Sequence, residues 1–307
     1  MRNIKWLLAL FSLIVLYACG EDKLDSNSIF KNDESTAPTA LDRWLVPNYL
    51  LNYNIDFKYK YDNREADITY NLVPAEYDKA VALAILMKHV WLDAYVEVAG
   101  VEFLRTYCPR IMQLIGSAAY NAQGSEVLGT AEGGLKITLY KVNIIDINNP
   151  IVDVDSPFPN TASNDMNYWF FHTMHHEFAH ILQQTKDYDP DFDLISAGNY
   201  RSSDWVNLDD PEAPQYGFVS GYASGQASED MVEVISIYVT HTEEAWQKLL
   251  AAGVVNGDDS GKQTILRKLA YVREYLSTSW SIDIDRLRDV VIRRSREASA
   301  LDLRTLK

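Results

Sequence analysis

The chain reads as an α+β protein in which a mixed sheet is followed by a helical C-terminal lobe. Three observations predict this. Strand-like stretches fall between residues 53 and 143. Long segments with apolar residues at helical spacing dominate from 164 onward. No regular strand–helix–strand alternation joins the two halves.

The N-terminus stands apart from that domain. Residues 1–18 read as a signal peptide, with Arg2 and Lys5 ahead of an uncharged run from Trp6 to Ala18. That run is too short to span a bilayer, which takes about 20 apolar residues. Leu16-Tyr17-Ala18-Cys19 resembles the lipobox of bacterial lipoproteins, although Tyr17 is bulkier than the usual residue there. The resemblance implies cleavage before Cys19, acylation of its thiol and a membrane anchor made of lipid rather than of a spanning helix. A plain secretory signal or an uncleaved anchor helix is the alternative. Residues 19–40 are polar and acidic and predict a flexible tether. Glu21 and Asp22, just after the cysteine, resemble the export signal of surface lipoproteins in Bacteroidetes. An outer-membrane lipoprotein is therefore expected, on the cell surface rather than the periplasmic face. Residues 41–307 carry no second linker of comparable polarity and predict one domain.

With Cys19 lipidated, Cys108 has no partner, which excludes a disulfide framework. Cys108 is expected as a small buried apolar side chain. The chain has 43 acidic and 28 basic residues. Removal of Arg2 and Lys5 with the signal leaves 26 against 43, a net charge of −17. Duplex nucleic acid requires a basic face, so no nucleic-acid partner is expected.

The elements follow in order. Residues 53–62, "YNIDFKYKYD", alternate apolar and polar and predict a strand. Residues 76–98 predict a long buried helix. "RIMQLIGSA" (110–118) and "GGLKITLYKVN" (133–143) predict strands joined by the glycine-punctuated connection "YNAQGSEVLGTAE" (120–132). A helix spans 164–185, and a long irregular stretch, of the kind that is usually functional, spans 186–226. Helices over 227–249, 260–280 and 283–299 complete the chain.

The chemistry is concentrated in "NYWFFHTMHHEFAHILQQT" (167–185), which holds four of the six histidines. His176 and His180 are four residues apart and share a helical face, so two imidazoles reach one metal ion. Glu177 stands beside that ion without binding it, placed to take a proton from a zinc-bound water. The pattern H-E-x-x-H thus predicts a zinc site with two ligands and a general base. Trp169, Phe170, Met174, Phe178, Ile181 and Leu182 supply the apolar surface to bury such a helix. His172 lies four residues before His176 but has no suitably placed base, and His175 points off the shared face. Packing or hydrogen bonding is expected of both. A third protein ligand is needed. Gln183 and Lys186 occupy the positions at which metzincins carry Gly and His, which excludes that class. Downstream, Glu229 and Glu233 are spaced to face the motif helix, and spacing alone does not choose between them.

The constellation resembles the gluzincin group of zincin-like metallopeptidases. More narrowly, "LGTAEGGLKITLYKVN" (128–143) and "GFVSGYASGQASEDMVE" (217–233) resemble a family of zinc-binding metallopeptidase lipoproteins of Bacteroidetes associated with outer-membrane nutrient importers. The resemblance implies a zincin-like fold, a Zn2+ cofactor, Glu229 as third ligand and Tyr222, seven residues earlier, as a donor to the oxyanion of the transition state. Gly225-Gln226 and Met231-Val232 replace the Ser-Asn and Phe-Ala usual in relatives, which touches loop shape rather than ligands. Either Glu233 or Asp230 is expected to orient a ligating histidine. Zincins commonly align substrate along an exposed strand beside the metal, and "GLKITLY" (134–140) is the strand expected to do so.

The function expected is therefore amide hydrolysis of a peptide or protein by a surface-tethered zinc enzyme beside an importer. Two other readings are a non-catalytic substrate-binding lipoprotein and an amidase acting on a non-peptide substrate. An intact Glu177 speaks against the first, because a binding role has no use for a base.

Overall fold

The structure is a computed structural model and describes residues 37–62, 70–121, 124–160 and 164–307. The signal, Cys19 and most of the tether lie outside the described residues. Ala40–Lys307 forms one compact unit.

The unit opens with a helix, α1 (residues 40–53), broken by a π turn at Val46–Leu50. It ends at Asn54, whose φ of 60° turns the chain into β1, Asp56–Lys58. This strand is shorter than the 53–62 expected, yet the alternation survives: Ile55, Phe57 and Tyr59 are all buried. Helix α2 (residues 77–99) carries a second π turn, Lys88–Leu92, and Gly100 at φ 87° separates it from α3, Val101–Tyr107. Cys108 follows, buried, with its thiol donating to Tyr53 O at 3.2 Å and pushed up to about 12 by burial.

The main sheet has four strands in the order β1, β2 (Ile111–Leu114), β6 (Lys136–Leu139) and β5 (Gly129–Glu132). The first three are parallel, and β5 runs antiparallel along the edge. A separate hairpin pairs β3 (Ala119–Tyr120) with β4 (Glu126–Val127). One expectation is corrected here. The strand within 134–140 lies between β2 and β5, so its backbone groups are already engaged. The edge strand on this side of the sheet is β5, inside the stretch expected to be a loop. Gly133 and Gly134, at φ 58° and 69°, make the tight turn that folds β5 onto β6, and Leu135 N–H donates to Glu132 O at 3.1 Å.

Helix α4 (residues 167–185) starts as a π turn, Asn167–His172, and continues as α-helix through Thr173–Thr185. It is the centre of the core. Phe178 packs edge-on against Trp91, Tyr95 and Phe103 at centroid distances of 5.3, 4.9 and 6.0 Å. The 186–226 stretch is mostly irregular as expected, with one short helix, α5 (Asp191–Ile195), and three short 3-10 segments.

The expected helix 227–249 is two helices, α6 (Ala227–Thr240) and α7 (Glu243–Ala252). Thr242 breaks it: extended at ψ 161°, it accepts from Ala245 N, and Glu243 and Glu244 favour the new N-terminus. Helices α8 (Ser260–Trp280) and α9 (Ile284–Ala298) close the lobe, α9 capped by Asp283. Among the described residues, no helix is long and apolar enough to cross a membrane.

Candidate metal centre

Helix α4 presents His176 and His180 one turn apart, and the first turn of α6 brings Glu229 up to both. The two Nε2 atoms are 3.1 Å apart, and Glu229 Oε2 lies 3.2 Å from the first and 3.1 Å from the second. A tetrahedral ion with bonds of 2.0–2.1 Å sets its ligands about 3.3 Å apart. The triangle matches that spacing to a few tenths of an ångström.

The remaining nitrogens are held so that Nε2 faces the triangle. His176 Nδ1 donates to Glu233 Oε1 at 2.8 Å. The Gln183 amide lies 2.8 Å from His180 Nδ1 through its nitrogen, while its buried Oε1 has no partner. Turning the amide over pairs Oε1 with an Nδ1–H and leaves the His180 Nε2 lone pair free. Both imidazoles then carry the proton on Nδ1, the tautomer a zinc ligand requires. These residues fit a zinc ion.

The electrostatics agree. Burial works against charge on His176, but hydrogen bonds to Glu229 and Glu233 outweigh it and raise the imidazole to about 10. Burial likewise opposes charge on Glu229, yet His176 and His180 hold its carboxyl well below the usual carboxylate range. The centre is built to receive positive charge, whether proton or metal.

Glu177 sits beside the triangle, 7% exposed. Burial pushes its carboxyl up, against the pull of His176 and His180. The edge strand β5 runs directly over it: a Cβ at Gly129 would lie 3.3 Å from Glu177 Oε1 and 2.6 Å from the Thr173 methyl. A glycine is what lets the strand approach so closely.

Tyr222, on a 3-10 turn, stacks edge-on against Trp205 at 4.8 Å, and its ring lies 5.7 Å from that of His176. Burial first, then Glu229, Glu233 and Glu177, raise its phenol well above its ordinary value. It therefore stays protonated and remains a donor.

The structure separates the acids left open by spacing. Glu233 is the one behind His176. Its other oxygen accepts from Ser220 Oγ at 2.5 Å, which ties the orienting acid to the loop carrying Tyr222. Asp230 faces elsewhere, 2.6 Å from the buried Lys268 and 3.0 Å from Tyr200 Oη. His175 is a packing residue: it is fully buried, accepts from Tyr95 Oη at 3.3 Å, and burial lowers it to about 3. His172 does more than pack. Its Nε2 lies 3.0 Å from Glu233 Oε1, so His172, His176 and Glu233 form a second group with metal-ligand spacing. That group would have to use His176 Nδ1, already hydrogen-bonded to Glu233, whereas the first group has every outward nitrogen satisfied. Gln183, Ser220 and Trp205 were not anticipated. Only Gln183, three residues after His180 on the same helix, carried a local signal.

A cavity of about 380 Å³ opens from the centre, lined by His176, Glu177, Tyr222, His172 and the start of β5.

Residues 34–285 match the model of a family described as "Putative zinc-binding metallo-peptidase". The chain belongs to this family. It is also similar to a solved structure from Bacteroides caccae ATCC 43185, titled a "putative zinc-binding metallo-peptidase", at 44% identity over 87% of this chain and 95% of that one, with a TM-score of 0.70. No curated protein matches the chain. The zinc-binding metallopeptidase family thus accounts for the α+β, zincin-like fold and for Zn2+ as cofactor. The matched residues span both helices of the centre and the edge strand.

Proposed function

We propose that the protein is a gluzincin-like zinc peptidase in which His176, His180 and Glu229 hold the metal and Glu177 is the general base. The observation that carries this reading is the three-atom triangle with Glu177 beside it, under an edge strand. When bound there, zinc polarises the scissile carbonyl and lowers the pKa of a water to about 7.

The chain's own groups do the rest. Strand β5 offers unpaired backbone groups on its outer side, against which an extended peptide adds as a further strand. A peptide added along this edge would lie over Glu177, since Gly129 approaches that side chain closely. Glu177 takes the proton of the attacking water and passes it to the departing amine, the double role its raised pKa suits. Tyr222 donates its O–H to the oxyanion that develops on the substrate carbonyl, an interaction stronger in the transition state than in the ground state. Glu233, held by Ser220, keeps His176 in its ligating tautomer.

The N-terminal sequence supports a location for this activity. Acylation of Cys19 anchors the protein in the outer membrane, the tether carries the domain clear of it, and the acidic residues after the cysteine favour the cell surface. An importer beside it would take up the products. The substrate is a peptide or protein.

The test is a peptide-library cleavage assay on the domain with and without a chelator, run beside Glu177→Gln. Cleavage that the chelator and the variant both abolish supports the proposal. A library left intact by the zinc-loaded protein contradicts it.

A further inference from the structure

The cavity beside the metal centre is charged in one sense. Asp153, Asp165, Asp209, Asp210, Glu126 and Glu233 line it, and among the described residues no lysine or arginine does. Some of this charge is answered locally. Lys141 lies 2.9 Å from Glu126, and Glu233 is engaged by His176 and Ser220. Three of the aspartates are met by backbone donors and one hydroxyl: Asp210 accepts from Gly221 N, Asp165 from Asp153 N and Asn167 N, and Asp153 from Asp155 N, Ser156 N and the Ser156 side chain. His241 adds no charge, since burial lowers it to about 4.

A second observation points to a ligand that donates hydrogen bonds. Asn167 lines the same cavity, is 1% exposed, and donates from Nδ2 to Asp153 O and Thr240 O. Its Oδ1 has no partner. A buried acceptor without a partner is costly, and this one is available to a donor. Burial raises Asp165 and Asp210, and neighbouring acids add to it, Asp153 for the first and Glu233 for the second. A cation would relieve both. The walls complete the description: Val127, Leu128, Phe158, Val219 and Ile237 give the same cavity apolar surface. A side chain with an aliphatic stem and a cationic, donor-rich head matches that combination of surfaces.

We infer that this cavity receives a lysine or arginine side chain of the substrate, flanking the bond that is cut. The inference rests on the peptidase reading and adds a specificity to it. Asp210 and Asp165 draw the cationic head, the unpaired Asn167 oxygen accepts from it, and the cavity walls hold the stem. Seating that side chain fixes the register of the peptide along β5.

The test compares peptides identical but for lysine or norleucine at each position around the cleavage site, with kcat/KM read for each. The zinc-loaded protein should prefer lysine over norleucine at one flanking position by tenfold or more. Asp210→Asn keeps an oxygen for Gly221 N and removes the charge, and it should lower that ratio at least fivefold. Zinc content and circular dichroism of the variant are measured alongside. Should Asp210→Asn fold poorly, Asp209→Asn, at an exposed position, should lower the ratio in the same sense. Cleavage with a ratio near one at every position overturns this inference and leaves the peptidase reading standing. An unchanged ratio in well-folded, zinc-loaded variants also overturns it. A peptide set that is never cut counts against the peptidase reading itself, and this inference falls with it.

Discussion

His176 Nδ1 and Glu233 Oε1 lie 2.8 Å apart, and this single hydrogen bond decides which nitrogen of His176 faces the metal triangle. It also assigns different work to two glutamates one turn apart on α6. Glu229→Ala removes a proposed ligand and should lower zinc affinity by orders of magnitude. Glu233→Gln should lower it only about 10- to 100-fold, the usual cost of losing an outer carboxylate. Competition titrations with a chromogenic chelator check the order. A reversed order would move the ligand to Glu233.

Glu177→Gln should retain zinc and lose hydrolysis by about 10²–10⁴-fold, because the amide has the shape of the acid but cannot accept the proton. In the wild type, burial raises the carboxyl of Glu177. A base works only when deprotonated, so activity should fall as pH drops through that raised pKa, above where an ordinary glutamate would titrate. A kcat/KM profile, with zinc content measured at each pH, separates this limb from metal loss.

Tyr222→Phe removes one hydroxyl and leaves the stack on Trp205 in place. If the hydroxyl meets the oxyanion, kcat should drop by about 10²-fold with zinc content unchanged. A kcat equal to the wild type's would return Tyr222 to a packing role.

Gly129→Ala tests the edge strand. The added methyl would meet the Thr173 methyl at 2.6 Å and crowd Glu177. Strand β5 must lift from α4, and the expected result is a raised KM and a lowered kcat in a protein that still binds zinc. Thr173→Ser, by withdrawing the obstructing methyl, should restore much of the loss. Kinetics of the single and double variants decide it.

Lys268→Met breaks the buried pair with Asp230 and the bond from Lys268 Nζ to Gly217 O. Asp230 keeps its hydrogen bond from Tyr200 but loses its countercharge in the core, which should cost about 3–5 kcal/mol. Urea unfolding reads the loss. A change under 1 kcal/mol would mean that Asp230 finds another partner or is neutral.

The parts of the centre set by local spacing were legible in the sequence. A helical face brings His176 and His180 together whatever packs around it, and Glu177 follows from its place between them. Glu229 and Tyr222 needed a family resemblance, because only the packing of α6 on α4 says which acid faces the histidines. The same limit hid the difference between Glu233 and Asp230. Strand β5 was missed because its glycines read as loop, although Gly133-Gly134 ahead of a strand is a hairpin signal in its own right. The break in 227–249 was also visible locally, in Thr242 followed by two glutamates. The acidic cavity was not legible: Asp153 and Asp165 come from the connection ahead of α4 and Asp210 from the one ahead of α6, and only the fold gathers them.

The most direct test of the account is a zinc-edge anomalous difference map from crystals of the zinc-loaded protein. The account predicts one strong peak bounded by His176 Nε2, His180 Nε2 and Glu229 Oε2. A peak between His172, His176 Nδ1 and Glu233, or no peak at either group, would contradict it.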